Sequence, residues 1–212
     1  LASIKASVTS LRQTDVEWTA HDRTEFLTTI EEETDRLNQL VGNLLDMSRL
    51  ESGIVKPAVR AVGLEEVVPR ALVSLRAYPG SNIRDAVSVE ISEELPPVIA
   101  DAELLERVIA NLTMNAVTHG HRADTTPVRI EAGRVGGRVD LRVIDHGRGL
   151  PVRDRHAIFE PVQRMGDVDT GNGVGLGLAV SRGFVDAMGG ELTVDDTPGG
   201  GLTFTISLPV AP

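Results

Sequence analysis

The sequence predicts a two-layer α/β sandwich preceded by an α-helical hairpin, and three observations support this fold class. Apolar residues recur at helical spacing through residues 1–52. Beyond residue 63, helix-like and strand-like segments follow one another without the regular strand–helix–strand alternation of a doubly wound fold. The chain has 212 residues, 41% of them hydrophobic, which is enough for one core of ordinary size and an extension.

The composition excludes several classes of protein and site. With no cysteine, the chain has neither a disulfide framework nor a thiolate metal site, and its five histidines show no zinc-ligand spacing. A formal net charge of −10 argues against binding to a phosphate backbone, so no direct nucleic-acid binding is expected. No apolar run approaches the roughly 18 residues of a membrane span. These features fit a cytoplasmic compartment.

Residues 1–52 are expected to form two helices joined by a short connector. Each helix has an apolar seam with three-and-four spacing: Leu1, Ile4, Val8 and Leu11 in the first, and Leu27, Ile30, Leu37, Val41 and Leu44 in the second. Thr19 is a candidate N-cap for the second helix. Such a hairpin buries too little to be stable alone, so we expect it to pair with a second copy in a four-helix bundle. The alternative is that it folds back on its own globular domain.

A domain boundary is expected after the hairpin. Ser52 and Gly53 end the second helix and Pro57 prevents its resumption, so residues 53–63 are predicted to be a linker. The globular domain then spans residues 64–212. Its predicted elements are, in order, helix 64–76, strands 87–91 and 98–100, helix 102–119, strands 128–132 and 138–144, helix 175–188, and strands 191–195 and 202–208.

The predicted strand 138–144 ends in a segment with the features of a binding site. Apolar residues alternate along the strand, and Asp145, Gly147 and Gly149 follow it. The small residues let a flat ligand approach the backbone, and the carboxylate can accept a hydrogen bond from an exocyclic amine. The same Asp-x-Gly-x-Gly pattern is also typical of an ordinary tight turn.

Two amide side chains on helix 102–119 form a second candidate site. Asn111 and Asn115 lie one turn apart and therefore share a face of the helix. Amide oxygens can ligate a hard cation, and Mg²⁺ bound to a triphosphate needs few ligands from the protein. Two amides that satisfy hydrogen bonds within a core would explain an isolated pair equally well.

Glycines occupy every second position from residue 171 to residue 177, directly before helix 175–188. They allow backbone N–H groups to turn toward an anion, and the helix N-terminus adds partial positive charge, so this segment is a candidate phosphate site. Upstream, Phe159 is a candidate anchor, and Arg164 begins a polar segment from which a guanidinium can reach a terminal phosphate. The alternatives are a flexible loop and a solvated surface arginine.

The order of these motifs resembles the N, G1, F and G2 boxes of the ATP-binding domain of sensor histidine kinases. The boxes correspond to Asn111 to Asn115, Asp145 to Gly149, Phe159 to Arg164 and Gly173 to Gly177, and the match covers residues 64–212. The resemblance implies the Bergerat, or GHKL, ATP-binding fold that gyrase and MutL share. It also implies ATP and Mg²⁺ as cofactors.

By position, the resemblance assigns a role to each matching residue. Asp145 would hold the adenine amine, Asn115 would ligate Mg²⁺, and Arg164 would contact the γ-phosphate. Asn111 and Arg164 would be the catalytic residues, and both would also contact the nucleotide. The other candidates for the nucleotide site are His119, Gly147, Gly149, Phe159, Gly173, Val174, Gly175, Leu176, Gly177 and Thr203.

Residues 1–52 resemble the dimerisation and histidine-phosphotransfer hairpin of the same family, whose phosphoacceptor motif ends in Arg-Thr-Pro directly before a segment like Leu1 to Ile4. The stretch from Leu40 to Gly53 is similar to the KdpD-type members in particular. The resemblance implies the cytoplasmic core of an inner-membrane sensor kinase, which meets the membrane only through segments absent from this chain. Its partners would be a second copy, through residues 1–52, and the receiver domain of a response regulator.

Three departures from the family pattern affect the expected activity. Thr118 and His119 stand where a Lys-Tyr pair usually follows the second Asn of the N box, and Val162 replaces the second aromatic residue of the F box. The phosphoacceptor histidine and its acidic neighbour are absent from the 212 residues, and His21 lies in the connector. We therefore expect these residues alone to be unable to autophosphorylate.

Two other functions stay open at this point. A GHKL clamp ATPase needs a carboxylate in the N box to activate water, and Asn111 stands where gyrase and MutL place a glutamate. A degenerate module that binds nucleotide only to regulate a partner would tolerate Thr118 and Val162. Phosphotransfer by a chain with its histidine box restored would rule out the second alternative.

Overall fold

The computed structural model describes residues 1–13, 15–75, 86–120, 126–155, 157–160 and 176–212. In this part of the chain, an N-terminal helical hairpin is followed by an α/β domain built on a five-stranded sheet. None of the described helices combines the length and the apolar character that crossing a membrane requires.

The hairpin consists of α1 (Ala2–Leu11) and α2 (Ala20–Glu51), which pack against each other as expected. The N-cap predicted for the second helix is present. The Thr19 hydroxyl accepts a hydrogen bond from the Asp22 N–H at 3.1 Å, and the Asp22 carboxylate accepts one from the Thr19 N–H at 3.0 Å. Because α2 begins at Ala20, His21 lies in its first turn and not in the connector.

A tryptophan holds the connector between the two helices. Trp18 donates from Nε1 to the Ser10 carbonyl of α1 at 2.8 Å. Its ring meets Phe26 of α2 edge-on, with 5.0 Å between the ring centroids. One side chain thus joins both helices at the closed end of the hairpin.

Only the first part of the segment after α2 lacks helix and strand. Within the predicted linker 53–63, β1 (Arg60–Val62) pairs antiparallel with β3 (Val98–Ala100). The Ala58 N–H also donates to the Asp101 carboxylate at 2.7 Å. A strand of three residues, two of them exposed, is too short for its alternation to be recognised in the sequence.

The α/β domain continues with α3 (Leu64–Leu75), β2 (Val87–Glu90), β3, α4 (Ala102–Gly120), β4 (Val128–Val135), β5 (Arg138–Ile144), α5 (Leu176–Ala187), β6 (Glu191–Asp196) and β7 (Leu202–Pro209). Two 3-10 turns, Val152–Asp154 and Ala157–Phe159, lie between β5 and α5. The sheet has the order β2-β4-β5-β7-β6. β2 pairs parallel with β4, and the other neighbours pair antiparallel, as the irregular order of segments predicts.

The core lies between the sheet and the helices. α4 and α5 pack on one face of the sheet, and α3 packs beside α4. On β5, Val139, Leu141 and Val143 are at most 1% exposed. The opposite face is charged and includes the ion pair of Arg142 with Glu131 at 3.3 Å. One apolar face and one charged face confirm the predicted two-layer sandwich.

The C-terminal end of α2 packs against the α/β domain. Asp46 is 4% exposed and forms an ion pair with Arg107 of α4. Leu50 lies against Gly183 of α5, where an added Cβ would come within 2.7 Å of the leucine Cδ1. The Arg107 guanidinium also lies over the Phe184 ring, 5.3 Å from its centroid. At this end, the hairpin folds back on its own domain.

Most of the α2 seam nevertheless stays open to solvent. Leu27, Val41 and Leu44 are 58%, 57% and 61% exposed. In the α1 seam, Leu1 and Val8 are exposed as well. The fold-back contact therefore uses a different side of α2 and leaves the surface expected to pair with a second copy uncovered.

Candidate functional site

The first part of the candidate site is Asp145, which follows β5 directly and is 5% exposed. Its Oδ1 accepts two backbone hydrogen bonds, from Gly147 at 2.9 Å and from Leu202 at 3.1 Å. The Asp145 N–H donates in turn to the Leu202 carbonyl at 2.9 Å. Within the described residues no group donates to Oδ2, so one carboxylate oxygen is available to a ligand.

Glycines let three chain segments meet around Asp145. Gly120, the last residue of α4, lies so close that an added Cβ would come within 2.3 Å of the Asp145 Cβ. An added Cβ on Gly147 would lie 2.7 Å from the Gly120 Cα. On Gly201, which has a φ of +103°, it would lie 2.1 Å from the Asp145 carbonyl oxygen. Side chains at these positions would push apart the end of α4, the segment after β5 and the start of β7.

The second part of the site lies on α4, where Asn111 and Asn115 are one turn apart. The Asn111 Nδ2 donates to the Ser181 Oγ of α5 at 2.8 Å. Its Oδ1 lies beside Gly177 in the first turn of α5, where an added Cβ would be 2.5 Å away. Asn115 is partly buried, and its amide forms no hydrogen bond with the other described residues. The two amides therefore differ, because one is fixed and the other is available.

Phe159 ends the second 3-10 turn and is 7% exposed. Its ring meets Phe204 of β7 at 90°, with 6.4 Å between the centroids. The Arg182 guanidinium of α5 lies 5.3 Å from the Phe159 ring centroid. Phe159 thus packs between β7 and α5.

Some predicted site residues come together and others are not described. Leu176, which is 8% exposed, and Gly177 begin α5 next to Asn111. Exposed His119 precedes Gly120 at the end of α4, and Gly149 adopts a φ of +67°. Outside the described residues lie Val162, Arg164, Gly171, Gly173, Val174 and Gly175.

Thr203, another predicted site residue, lies on β7. Leu202 and Phe204 are buried in the core, so the alternation of β7 turns the Thr203 side chain to the other face of the sheet. There its Oγ1 lies 2.9 Å from the Thr197 Oγ1. The β7 residue that contacts the Asp145 carboxylate is Leu202, through its backbone N–H.

Sequence reasoning does not identify four residues that shape the site: Gly120, Ser181, Gly201 and Leu202. Of these, only Gly201 could have been found from the sequence, because it is the last of three consecutive glycines. All three have positive φ in the structure. The Ser181 contact joins residues 70 positions apart and depends on how α4 packs against α5. No pattern within one segment indicates such a contact.

A cleft of about 550 Å³ separates the site from the hairpin. Its lining includes Asp35, Gln39 and Asn43 of α2, Ser74 of α3, and Arg107 and Asn111 of α4. Asn111 therefore contacts α5 and also lines the cleft that faces α2.

Comparison with known proteins defines the class of this protein. Residues 100–212 match the family described as "Histidine kinase-, DNA gyrase B-, and HSP90-like ATPase", and residues 1–53 match the "His Kinase A (phospho-acceptor) domain". The chain belongs to the sensor histidine kinases, with the GHKL ATPase domain behind the phosphoacceptor-type hairpin.

Within that class, the chain is similar to the Sensor protein KdpD of Mycobacterium tuberculosis. The two are 49% identical over 212 residues, which cover 98% of this chain and 24% of the relative. The resemblance to KdpD-type kinases is thereby confirmed, and the chain spans about a quarter of that relative's length.

Two solved structures share the fold. The Acinetobacter baumannii histidine kinase AdeS superposes with a TM-score of 0.72 at 20% identity, covering 100% of this chain and 95% of AdeS. Full-length ShkA, solved in complex with AMPPNP, has a TM-score of 0.71 at 26% identity and covers 99% of this chain and 43% of ShkA. Together with the family match, these likenesses confirm the predicted GHKL fold class.

Proposed function

We propose that this chain is the catalytic core of a sensor histidine kinase and binds Mg²⁺-ATP. In the longer protein, the γ-phosphoryl group of ATP would pass to a histidine of the hairpin and then to an aspartate in the receiver domain of a response regulator. The observation that carries the proposal is Asp145, a buried carboxylate whose Oδ1 is fixed by the backbone while Oδ2 has no donor among the described residues.

The surroundings of Asp145 suit an adenine ring. The available Oδ2 can accept a hydrogen bond from the exocyclic amine, which a carboxylate does well because it is a charged acceptor. Gly120, Gly147 and Gly201 let the neighbouring segments pack closely around Asp145, which holds its carboxylate in place for such a bond.

Asn115 is the proposed ligand of Mg²⁺. Its amide oxygen is of the hard type that Mg²⁺ prefers, and the amide is unpaired within the described residues. A neutral ligand is sufficient, since the triphosphate supplies the negative charge. When bound, the metal ion neutralises charge on the phosphates during transfer.

The start of α5 is the proposed phosphate site. Its first-turn N–H groups are unpaired within the helix and carry partial positive charge, and Gly177 leaves room beside them for the Asn111 amide. We propose that the amides of Gly173, Val174 and Gly175 and the side chain of Arg164 complete this site, with His119 as a further contact from the end of α4.

Asn111 favours phosphoryl transfer to a histidine over hydrolysis. A carboxamide cannot take a proton from water, so this position lacks the general base that a clamp ATPase needs. A neutral imidazole needs no such base, because it already carries a lone pair on one nitrogen. Asn111 also lines the cleft that faces the hairpin, which is the direction from which a phosphoacceptor helix would approach.

We propose that the hairpin forms a homodimer through residues 1–52. The exposed seam residues Leu27, Val41 and Leu44 lie on α2, and a second copy would bury them in a four-helix bundle. Relatives named as sensor proteins support the further proposal that this core works in the cytoplasm, below a membrane-embedded sensor region of the longer protein.

Titration calorimetry with ADP and Mg²⁺ tests the proposed nucleotide site. Asp145→Asn should weaken binding by about tenfold to a hundredfold, because hydrogen bonds to charged groups contribute roughly 1.5–3 kcal/mol. Asp140→Asn is the matched control. It removes a carboxylate from β5, the strand that Asp145 follows, and this carboxylate pairs with Arg142 at 3.8 Å. Equal ADP affinity of the Asp145→Asn chain and the parent would contradict the adenine assignment.

A further inference from the structure

The last turns of α2 are fastened to the α/β domain. The buried Asp46 carboxylate forms an ion pair with Arg107 of α4, which also donates a hydrogen bond to it at 3.3 Å. Leu50 occupies the space beside Gly183 of α5, and Met47 and Leu50 both pack against the core of the domain. Separation would leave the Asp46 charge without its partner from α4, so this end of α2 should move together with the domain.

The linker after α2 is fastened at both of its ends. It has neither helix nor strand over residues 52–59. Near its far end, however, the Ala58 N–H donates to the Asp101 carboxylate at 2.7 Å, and β1 then pairs with β3. As long as the contacts at both ends hold, flexing of the linker cannot move the α/β domain relative to the hairpin. Such a movement has to occur within α2, ahead of Asp46.

Gly42 is the weakest point in this part of α2. It is the one glycine of the helix, and it lies one turn before Asp46 and next to Asn43. Glycine is the poorest helix former after proline, and asparagine also ranks low. Packing does not require a glycine here, because an added Cβ would meet nothing within 4 Å in the described structure apart from its own stretch of helix. The residue therefore weakens the helix without making room for a neighbour.

The surroundings of Gly42 leave space for a bend. It lines the cleft of about 550 Å³ from the side of α2, and Asn111 lines it from the side of α4. All of the exposed α2 seam except Leu44 precedes Gly42, and the fastened end follows it. A bend at this residue would change the width of the cleft, while most of the seam stays with the hairpin.

We propose that Gly42 is a hinge within α2. The α/β domain and the end of the helix after Gly42 move about it as one body, and the movement changes the distance between Asn111 and the hairpin. In the longer protein, the hinge lets the proposed phosphate site approach a histidine of the hairpin. This consequence rests on the function proposed above, whereas the hinge itself does not.

Distances between two spin labels test where the chain bends. The chain has no cysteine, so introduced cysteines can be labelled selectively. Exposed Glu32, ahead of the hinge, and exposed Ser48, in the fastened end, are each replaced by cysteine together with exposed Val135 of β4. Excess unlabelled chain ensures that both labels lie in one copy.

The hinge predicts different results for the two pairs in electron–electron double resonance. The pair of Glu32→Cys with Val135→Cys should give a broad distribution of distances, because the hinge lies between the labels. The pair of Ser48→Cys with Val135→Cys should give a narrow one. A broad distribution for the second pair would place the bend in the linker, and two narrow distributions would show no bend; either result overturns the proposal.

Gly42→Ala should stiffen the hinge. The distance distribution of the Glu32 pair should narrow, and the backbone amides of residues 43–46 should exchange with deuterium about fivefold more slowly, because alanine disfavours opening of this turn. Thr24→Ala is the matched control. It raises helix propensity at an exposed position near the start of α2 and should change neither signal. An unchanged distribution in Gly42→Ala, or equal narrowing in Thr24→Ala, contradicts the hinge.

Moving the glycine shows whether flexibility is what this turn supplies. In the Gly42→Ala chain, Asn43→Gly places a glycine one residue further along the same turn of α2. The distance distribution of the Glu32 pair should broaden again toward that of the parent. A distribution that stays narrow in the double variant would show that alanine at position 42 acts in another way, and the proposal would be wrong.

Phosphoryl transfer separates the hinge from the function on which its consequence rests. In a longer chain that carries the family's histidine motif, Gly42→Ala should slow labelling by γ-labelled ATP about fivefold and leave the affinity for ADP unchanged. An unchanged labelling rate, together with a narrowed distance distribution, contradicts the role of the hinge in transfer. A parent that binds no ADP contradicts the proposed function, while the distance distributions decide on the hinge independently.

Discussion

Two buried aspartates show how a residue's partner decides its role. Asp46 is 4% exposed, and the side chain of Arg107 satisfies its carboxylate within the protein. Asp145 is 5% exposed, but its carboxylate receives only backbone N–H groups from the described residues, and only on Oδ1. The two aspartates are almost equally buried. The carboxylate oxygen of Asp145 that has no donor among the described residues therefore distinguishes a candidate binding residue from a structural one.

Thr113 is a residue whose replacement should stabilise the protein. Its hydroxyl is fully buried and has no partner within the described part of the chain. Thr113→Val keeps the branched shape and removes the unpaired group, so the free energy of unfolding should rise by about 1 kcal/mol. Urea denaturation of the parent and the variant measures the difference. A lower midpoint for the valine variant would show that the hydroxyl is satisfied in solution.

Among the elements, the start of α2 should respond to pH. The Thr19 hydroxyl, followed by the Thr19 backbone N–H, holds the pKa of Asp22 below its ordinary value of 3.8. Since the pKa is lowered in the folded state, the contribution of this cap is present at neutral pH and is lost as the pH falls through the folded-state pKa.

Asp22→Asn should therefore lower the thermal midpoint of the hairpin at neutral pH and leave a smaller difference from the parent in acid, well below pH 3.8. Circular dichroism melts at the two pH values measure this. Asp15→Asn is the control, because Asp15 lies in the connector outside the cap of α2. An Asp22→Asn effect of the same size at both pH values would exclude the carboxylate as the source.

Elements with long regular patterns were the predictable ones. α4 has 19 residues with an apolar face, and its predicted bounds differ from the observed ones by one residue. β1 has three residues, two of them exposed, so its pairing with β3 is a tertiary effect. β4 continues three residues beyond the predicted end, into the exposed hairpin that Gly136 closes with a φ of +61°. Pairing with β5, and not periodicity, extends it.

The residues of the candidate site also fall into a predictable group and an unpredictable group. Asp145 and the two asparagines stand in local motifs, which can be read along one segment. Leu202 reaches Asp145 through the pairing of β5 with β7, and Ser181 reaches Asn111 through helix packing. Contacts of this kind depend on the register between distant segments, and a single sequence carries no signal for them.

For the whole molecule, the exposed α2 seam should control the oligomeric state. Leu44→Glu would place a charge in the dimer interface, where desolvation costs several kcal/mol per ion, so this chain should sediment as a monomer. Val135→Glu is the matched control, because Val135 is 56% exposed on β4, away from the seam, against 61% for Leu44. A parent that is monomeric at tens of micromolar would contradict the four-helix bundle.

Phosphoryl transfer should require more than these residues. An in-line nucleophile must be held against the γ-phosphate, and α1 contains no histidine. Incubation with γ-labelled ATP should leave the 212-residue chain unlabelled, whereas a longer chain with the family's histidine motif ahead of Leu1 should gain an acid-labile label. Stable labelling of the shorter chain at His21 or His119 would show that the phosphoacceptor has been misplaced.

The position of Trp18 makes the hairpin visible to fluorescence. The chain contains one tryptophan, and its indole N–H binds α1 while its ring contacts α2 at the closed end of the hairpin. Indole emission shifts to longer wavelength when the ring becomes more hydrated, so the intrinsic spectrum reports on the separation of these two helices. Circular dichroism reports the helices of the hairpin and of the α/β domain together, so a transition that it records without a shift in emission belongs to the α/β domain. The two signals together distinguish loss of the hairpin from loss of the nucleotide-binding domain without any added label.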